Sequence, residues 1–178
     1  MNELYEKYKD EPSMLVAIAD GEGNIGVLED IFLYKKQLAF SYVTPLERWN
    51  WLHQCNLNSY APAPLSVIEF YIQNGVEINA QDCYGMTPLH YAMRAKNDAA
   101  IALLNAGADP NIPNQDNLIP LSMIGYLPDR LDVLELMLEK GANVHFLVNK
   151  NETILESYKP TEMEPNLAPI YELMLKYA

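Results

Sequence analysis

Apolar residues along this chain recur in blocks of one shape. A run rich in Leu, Ile and Met, spaced to cover one face of a helix, leads to a small residue and then to a polar turn. Val67-Ile-Glu-Phe-Tyr-Ile-Gln-Asn-Gly75 with Asn79 is one copy. Ala99-Ala-Ile-Ala-Leu-Leu-Asn-Ala-Gly107 with Asn111 is the next, and Val133-Leu-Glu-Leu-Met-Leu-Glu-Lys-Gly141 with His145 is the third. Ile170-Tyr-Glu-Leu-Met-Leu-Lys-Tyr-Ala178 forms a fourth that stops where its glycine would stand. Val27-Leu-Glu-Asp-Ile-Phe-Leu-Tyr gives a weaker fifth. Each block predicts a helix that buries one face, and each glycine predicts its end.

A second phrase stands upstream of each strong copy: Thr44-Pro-Leu46, Thr87-Pro-Leu-His90, Ile119-Pro-Leu-Ser122 and Thr153-Ile-Leu155. Successive copies are about 32 to 43 residues apart, the range in which stacked repeats are built. The phrase has helix-starting chemistry. Thr87 can cap an otherwise orphan amide, and Pro88 falls at the first helical position, where its missing donor costs nothing. Gly107 is expected at positive φ, ending the second helix of its pair. Asp82 and Gly85 supply a turn that projects from the stack, and Ala92 is small where paired helices approach.

Asp82-Cys-Tyr-Gly85-Met-Thr87-Pro-Leu-His90-Tyr-Ala92, followed by Leu103-Leu104 and Gly107-Ala-Asp-Pro-Asn111, resembles an ankyrin repeat almost position for position. The register of glycines and upstream phrases extends the resemblance over roughly residues 25–178. It implies an all-α fold, a solenoid of about five stacked helix-turn-helix repeats including degenerate caps, in a single domain. The expected divisions are an N-terminal capping repeat (1–40), a repeat with an inserted loop (41–80), the best-matching repeat (81–112), a further repeat (113–147) and a C-terminal capping repeat (148–178). Terminal repeats of such stacks shield the core from water.

The sequence also departs from the family pattern. Thr44 is taken to open the first helix of the second repeat, which puts Trp49 where the family prefers alanine and makes His53 to Pro64 an inserted loop. Ile119 and Ser122 replace Thr and His in the next repeat but one, and Asn117 replaces its turn glycine. The last copy has Ile154 for proline and a Lys-Pro-Thr-Glu-Met-Glu-Pro loop before its final helix.

The resemblance implies non-catalytic protein recognition through the projecting turns and the concave face. Carried onto this chain, the expected partner-binding residues are Trp51, Cys83, Tyr84, Met86, Arg94, Gln115, Asp116, Leu118, Tyr126, Lys150 and Glu152. Tyr, Trp, Met and Arg among them are types enriched at interface cores.

Charge narrows the partner. The 178 residues carry a formal charge of -12, spread along the chain. A surface this negative repels phosphate backbones, which argues against nucleic acid; it would steer a basic protein inward, and plain solubility accounts for the same charge as well. The profile of a short, acidic, irregular solenoid also resembles small stand-alone bacterial ankyrin proteins, some of which are immunity proteins that block a cognate toxin. A secreted effector or a generic scaffold is the alternative.

Candidates for chemistry are few. In this phrase the family uses His90 to bond neighbouring turns. His53-x-Cys55 falls in the expected inserted loop without a third ligand nearby, and a metal needs three or four. His145 follows a helix end, where a cation favours the dipole. An enzyme using His53, Cys55 or His90 is the least favoured reading, because no phosphate loop, nucleophile elbow or zinc-protease motif appears. No cofactor and no metal are expected, and the free protein is expected to be a monomer. Two cysteines fit a reducing compartment, and the charged N-terminal stretch and lack of a ~20-residue apolar run fit a cytoplasmic protein that does not enter membranes.

Overall fold

The computed structural model describes residues 3–95 and 98–178; Met1 and Asn2 of the charged N-terminal stretch, with Lys96 and Asn97, lie outside the described residues. Helices come in pairs. A short helix α1 (Glu3–Lys7) packs on α2 (Pro12–Glu22), which pairs with α3 (Ile25–Glu29) and the π-helical turn that continues it (Asp30–Tyr34). Then come α4 (Trp51–Gln54) with α5 (Leu65–Gln73), and α6 (Pro88–Ala92) with α7 (Ala99–Asn105). A 3₁₀ helix (Pro120–Tyr126) pairs with α8 (Leu131–Glu139), and α9 (Ile154–Ser157) pairs with α10 (Ala168–Leu175) after a single 3₁₀ turn. The only strands among the described residues, β1 (Leu147–Asn149) and β2 (Glu152–Thr153), form a small antiparallel hairpin. The fold is an all-α solenoid.

The second helices pack in series, α3 on α5, α5 on α7, α7 on α8 and α8 on α10, while α4, α6 and the 3₁₀ helix stack beside them. The glycine frame sets this register. Val67, Ile68 and Tyr71, then Ala99, Ala100, Leu103 and Leu104, then Val133, Leu134, Met137 and Leu138 are buried at matching distances before Gly75, Gly107 and Gly141. One helical stripe is thus repeated three times. Those glycines have φ of 78°, 99° and 84°. The residue after each donates back to the carbonyl five positions earlier: Val76 to Tyr71 at 3.1 Å, Ala108 to Leu103 at 2.9 Å and Ala142 to Met137 at 3.0 Å. Carbonyls that would otherwise be orphaned at the helix ends are satisfied in this way.

The second repeat starts later than the sequence pattern places it. Thr44-Pro-Leu46 does not open a helix; it forms a projecting turn in which Trp49 N–H donates to Thr44 Oγ1 at 3.0 Å and Arg48 has φ of 61°. The helix begins at Trp51, capped by Asn50, so Trp49 lies outside it. Asn50-Trp-Leu-His53 therefore stands where Thr87-Pro-Leu-His90 stands one repeat later. His53 is a helical, fully buried residue rather than a loop residue. The loop proper runs from Cys55 to Pro64, and its excess is small. Twelve positions separate His53 from the first residue of α5, against nine from His90 to the first of α7.

Trp51 is also corrected. It is 2% exposed and sits in an aromatic cluster with Phe32, Phe40, Phe70 and Tyr71, stacking on Tyr71 at 6.1 Å and meeting Phe32 edge-on at 5.1 Å. Its indole N–H donates to the Ala39 carbonyl at 3.0 Å. A buried indole with its donor satisfied belongs to the core between the first two helix pairs.

Candidate functional site

Four turns project from one edge of the stack, and the first three share one construction. Asp82 Oδ1 accepts the Tyr84 and Met86 amides, both at 2.8 Å, and Gly85 takes φ of 73°. Asn114 Oδ1 accepts the Asp116 and Leu118 amides at 3.0 and 2.9 Å, and Asn117 takes φ of 57°. Arg48 holds the same place in the preceding turn, where Thr44 supplies the accepting oxygen. Asn tolerates this left-handed region better than most residues, so Asn117 can replace the turn glycine. Gly85 is required for a second reason: a Cβ there would lie 3.1 Å from backbone atoms of Asn114 and Gln115.

The turns are tied edge to edge. Cys83 N–H donates to Glu47 O at 2.8 Å, and Gln115 N–H donates to Tyr84 O at 2.9 Å. The Gln115 side-chain amide reaches Cys83 O at 2.8 Å, and that of Asn117 reaches Leu147 O at 3.0 Å. Asp82 Oδ2 accepts Tyr91 O–H at 2.6 Å and Trp49 Nε1–H at 3.1 Å, joining the first turn to the second. The base of each turn repeats a similar device, with Asn79 bridging to Gly107 O and Asp109 N, and Asn111 bridging to Gly141 O and Asn143 N. The edge is a hydrogen-bonded comb.

Below the turns, the two histidines link successive repeats. In each, Nδ1 faces the amide of its own capping residue, Asn50 at 3.2 Å and Thr87 at 3.0 Å. Nε2 lies 3.0 Å from a carbonyl of the next turn, Met86 O for His53 and Leu118 O for His90. A carbonyl can only accept, so the network assigns both rings as the neutral Nε2–H tautomer. Burial accordingly holds both below the ordinary histidine range. The 3₁₀ helix has Ser122 at this position and Ile119 without a side-chain cap, and it winds tighter than its neighbours. Tyr158 compensates from the next pair, accepting Gly125 N–H at 2.8 Å and donating to Ser122 O at 3.3 Å.

Asp20 is the other perturbed group of note. It is buried in α2, accepts Tyr71 O–H at 2.8 Å, and burial raises its pKa to about 7. The two histidines and Asp20 pull stability in opposite directions. For the histidines the native pKa is depressed, so their contribution is complete above about 6.5 and is lost as pH falls below it. For Asp20 the native pKa is raised, so its contribution is complete below the ordinary carboxylate range and is lost as pH rises through about 7. Asp20→Asn keeps an acceptor for Tyr71 and removes the second trend. Its unfolding free energy should rise with pH between 5 and 7 more steeply than that of the wild type, by about 1.4 kcal/mol per pH unit for one proton. Urea unfolding at a series of pH values measures this; parallel curves would mean Asp20 keeps an ordinary pKa.

The residues expected to bind a partner fall into separate groups. Tyr84, Gln115, Asp116 and Lys150 are exposed on the turns, with Tyr84 at 58%. Cys83, Leu118 and Glu152 are half-buried there. Met86 is half-buried against the core, and its sulfur lies 3.1 Å from Asn114 Nδ2. Arg94 and Tyr126 lie at the far ends of the first helices and line a cleft with Ser59, Tyr60 and Pro62. Trp51 is not on the surface. Outside that set, Leu46 (81% exposed) and Arg48 are exposed on the first turn, and Tyr60 (100%) on the loop after α4. The 37-residue step from Asn50/His53 to Thr87/His90 was the signal that places all three.

No group of three or more His, Cys, Asp or Glu among the described residues could hold a metal ion, and no described helix is long and apolar enough to cross a membrane.

This architecture of paired helices, comb-like turns and inter-repeat histidines defines an ankyrin-repeat protein. The family model for ankyrin repeats matches residues 32–148 in three copies, and the chain belongs to that family. Similar proteins include ankyrin repeat protein FPV244 of fowlpox virus, 32% identical over 107 residues covering 58% of this chain and 15% of that protein. Ankyrin repeat protein nuc-2 of Neurospora crassa is 34% identical over 99 residues, covering 53% of this chain and 9% of that protein. Ankyrin repeat protein L86 of Acanthamoeba polyphaga mimivirus is 33% identical over 106 residues, covering 50% and 18%. The chain thus spans less than a fifth of the length of these relatives. Ankyrin repeats mark a module for protein–protein interaction.

Proposed function

We propose that this protein binds a basic protein partner along the comb of projecting turns and the concave face beneath them, and does so without catalysing a reaction. One observation carries the reading: exposed Leu46 and Tyr84 stand on two turns joined by the Cys83 N–H to Glu47 O bond, in a chain whose formal charge is -12. Aromatic and aliphatic anchors on a hydrogen-bonded edge lose little conformational entropy on docking. The acidic surface supplies steering toward a positively charged partner. Occlusion of a basic partner's working surface, as an immunity protein does to a toxin that acts on nucleic acids, is the form of inhibition this charge suits. Scaffolding or redirecting the partner is the second form.

The test separates steering from anchoring. With a partner recovered by affinity capture and made pure, surface plasmon resonance should show association slowing as salt rises, because the Debye length shrinks from about 30 Å at 0.01 M to about 3 Å at 1 M. Tyr84→Ala should leave association nearly unchanged and speed dissociation by roughly 10-fold, and Tyr126→Ala should do the same if the partner reaches the far cleft. A salt-independent association rate would remove the charge argument. Unchanged dissociation in both variants would take the interface off the concave face.

A further inference from the structure

The cavity between α2 and the loop after α4 has features the repeat architecture does not use. It is a half-open pocket of about 280 Å³, lined by Val16, Ala17, Asp20, Gln54, Cys55 and Leu57, among others, and has room for a side chain.

Two polar side chains on its wall are only partly satisfied. Asp20 is 7% exposed; its Oδ1 accepts the Tyr71 hydroxyl, and among the described residues its Oδ2 accepts no hydrogen bond. Tyr71 needs a single acceptor, which an amide would supply without the cost of burying an ionisable group. The Nε2 atom of Gln54 is buried with no partner. Asp20 Oδ2 is therefore left to take a donor, beside apolar wall from Val16, Ala17 and Leu57.

The sign of the charge selects the ligand. Among the described residues, Asp20 is the lone carboxylate on the wall and no Lys or Arg lines the cavity, and the chain around it is strongly acidic. An anion would meet only repulsion there. A primary ammonium on a linear aliphatic stem fits: a charged donor tip for Asp20, and methylenes that can lie along apolar wall.

We propose that this cavity is a socket for a lysine side chain of the protein partner, its ammonium paired with Asp20. The inference rests on the reading that the partner is basic. Filling the socket ionises Asp20, which is otherwise half-protonated near neutrality, so binding expels a proton. The other titratable groups facing Asp20 are Tyr71 of α5 and Cys55 at the end of α4. Both are buried with raised pKa values, so they stay neutral and leave Asp20 as the group that titrates.

The probes are n-butylammonium, N-acetyl-lysine methylamide and, as a neutral control of equal length, n-butanol, each titrated into the full chain while the Asp20 carboxyl carbon is followed by NMR. Both ammonium probes should lower the apparent pKa of Asp20 by about one unit or more, and butanol should not. Asp20→Asn, which retains an acceptor for Tyr71, should weaken both by at least about tenfold. An unmoved Asp20 signal, or equal binding to Asp20→Asn, overturns the socket. Binding of butylammonium but not of the capped lysine overturns the partner-lysine assignment in favour of a free amine. The parent reading fails differently. If association with the partner is salt-independent while butylammonium still shifts Asp20, the socket survives and the basic partner does not. If association depends on salt but Asp20→Asn dissociates from the partner as slowly as the wild type, the basic partner survives and the socket does not.

Discussion

His53→Ala should destabilise the protein by about 3 kcal/mol, an effect comparable to that of His90→Ala. The side chain is fully buried and does two jobs at once, accepting the Asn50 amide and donating to Met86 O. Met86 O keeps a second donor in the Asp82 amide, at 3.0 Å, so the carbonyl is not orphaned by the change. The Asn50 amide is left in the interior without an acceptor, which costs about 1–3 kcal/mol, and the missing ring leaves a void that adds to it. His53→Gln sharpens the test. The last repeat closes the same box with an acid, Thr153 N–H donating to Glu156 Oε2 at 2.8 Å, so a Gln at 53 can restore the cap. It should recover part of the loss, the remainder measuring ring packing and the link to the next repeat. Urea unfolding of the three proteins gives the numbers. A loss below about 1 kcal/mol for His53→Ala would return His53 to a loop-like role.

That residue also marks where reading from sequence stops. The glycine frame was legible because two independent constraints coincide in it: an apolar stripe repeating at fixed distances, and a backbone conformation that other residues resist. Asn117 was legible as a glycine substitute for the same reason. Thr44-Pro-Leu46 misled because its helix-starting chemistry is purely local. Whether such a phrase caps a helix or folds into a turn is decided by the burial of the residues after it. Asn50 out-competes Thr44 because Trp51 and Leu52 behind it enter the core. Arg48 at positive φ gives no local sign at all. Tyr158 is equally silent in sequence, since its role is to serve Gly125 and Ser122 some 33 and 36 positions away.

Which candidate residues are exposed was legible on the turns and less so elsewhere. Tyr84, Gln115 and Asp116 come from the turn register alone. Arg94 and Tyr126 come together with Tyr60 only because the loop after α4 is three residues longer than its counterpart and folds toward them. Asp20 had no pattern to announce it. A lone carboxylate in a helix of middling polarity becomes notable once Tyr71, distant in sequence, is found bonded to it.

Asp82→Ala should cost about 3 kcal/mol or more and loosen the comb of turns. One carboxylate there accepts four donors, the Tyr84 and Met86 amides through Oδ1 and the Trp49 indole and Tyr91 hydroxyl through Oδ2, while only 3% exposed. Hydrogen bonds to a charged acceptor contribute about 1.5–3 kcal/mol each, but they share one acceptor and are not additive. The Trp49 indole also lies 3.3 Å from the Tyr91 hydroxyl and keeps that contact. The loss should therefore fall well short of four full bonds. Asp82→Asn divides the two halves of the network. Its oxygen can still hold the two amides, and the Tyr91 hydroxyl can rotate to accept from the new NH₂, but the Trp49 N–H then faces a donor. It should cost about 1 kcal/mol, leaving the second turn intact and weakening only the Trp49 side-chain tie to it, since the Cys83 N–H to Glu47 O bond remains. Hydrogen exchange distinguishes the variants: Ala at 82 should speed exchange at the Tyr84 and Met86 amides, and Asn should speed it only at the Trp49 indole. If Asp82→Ala unfolds within about 1 kcal/mol of the wild type with those amides still protected, the comb is held by its backbone bonds from Cys83 to Glu47 and from Gln115 to Tyr84 instead.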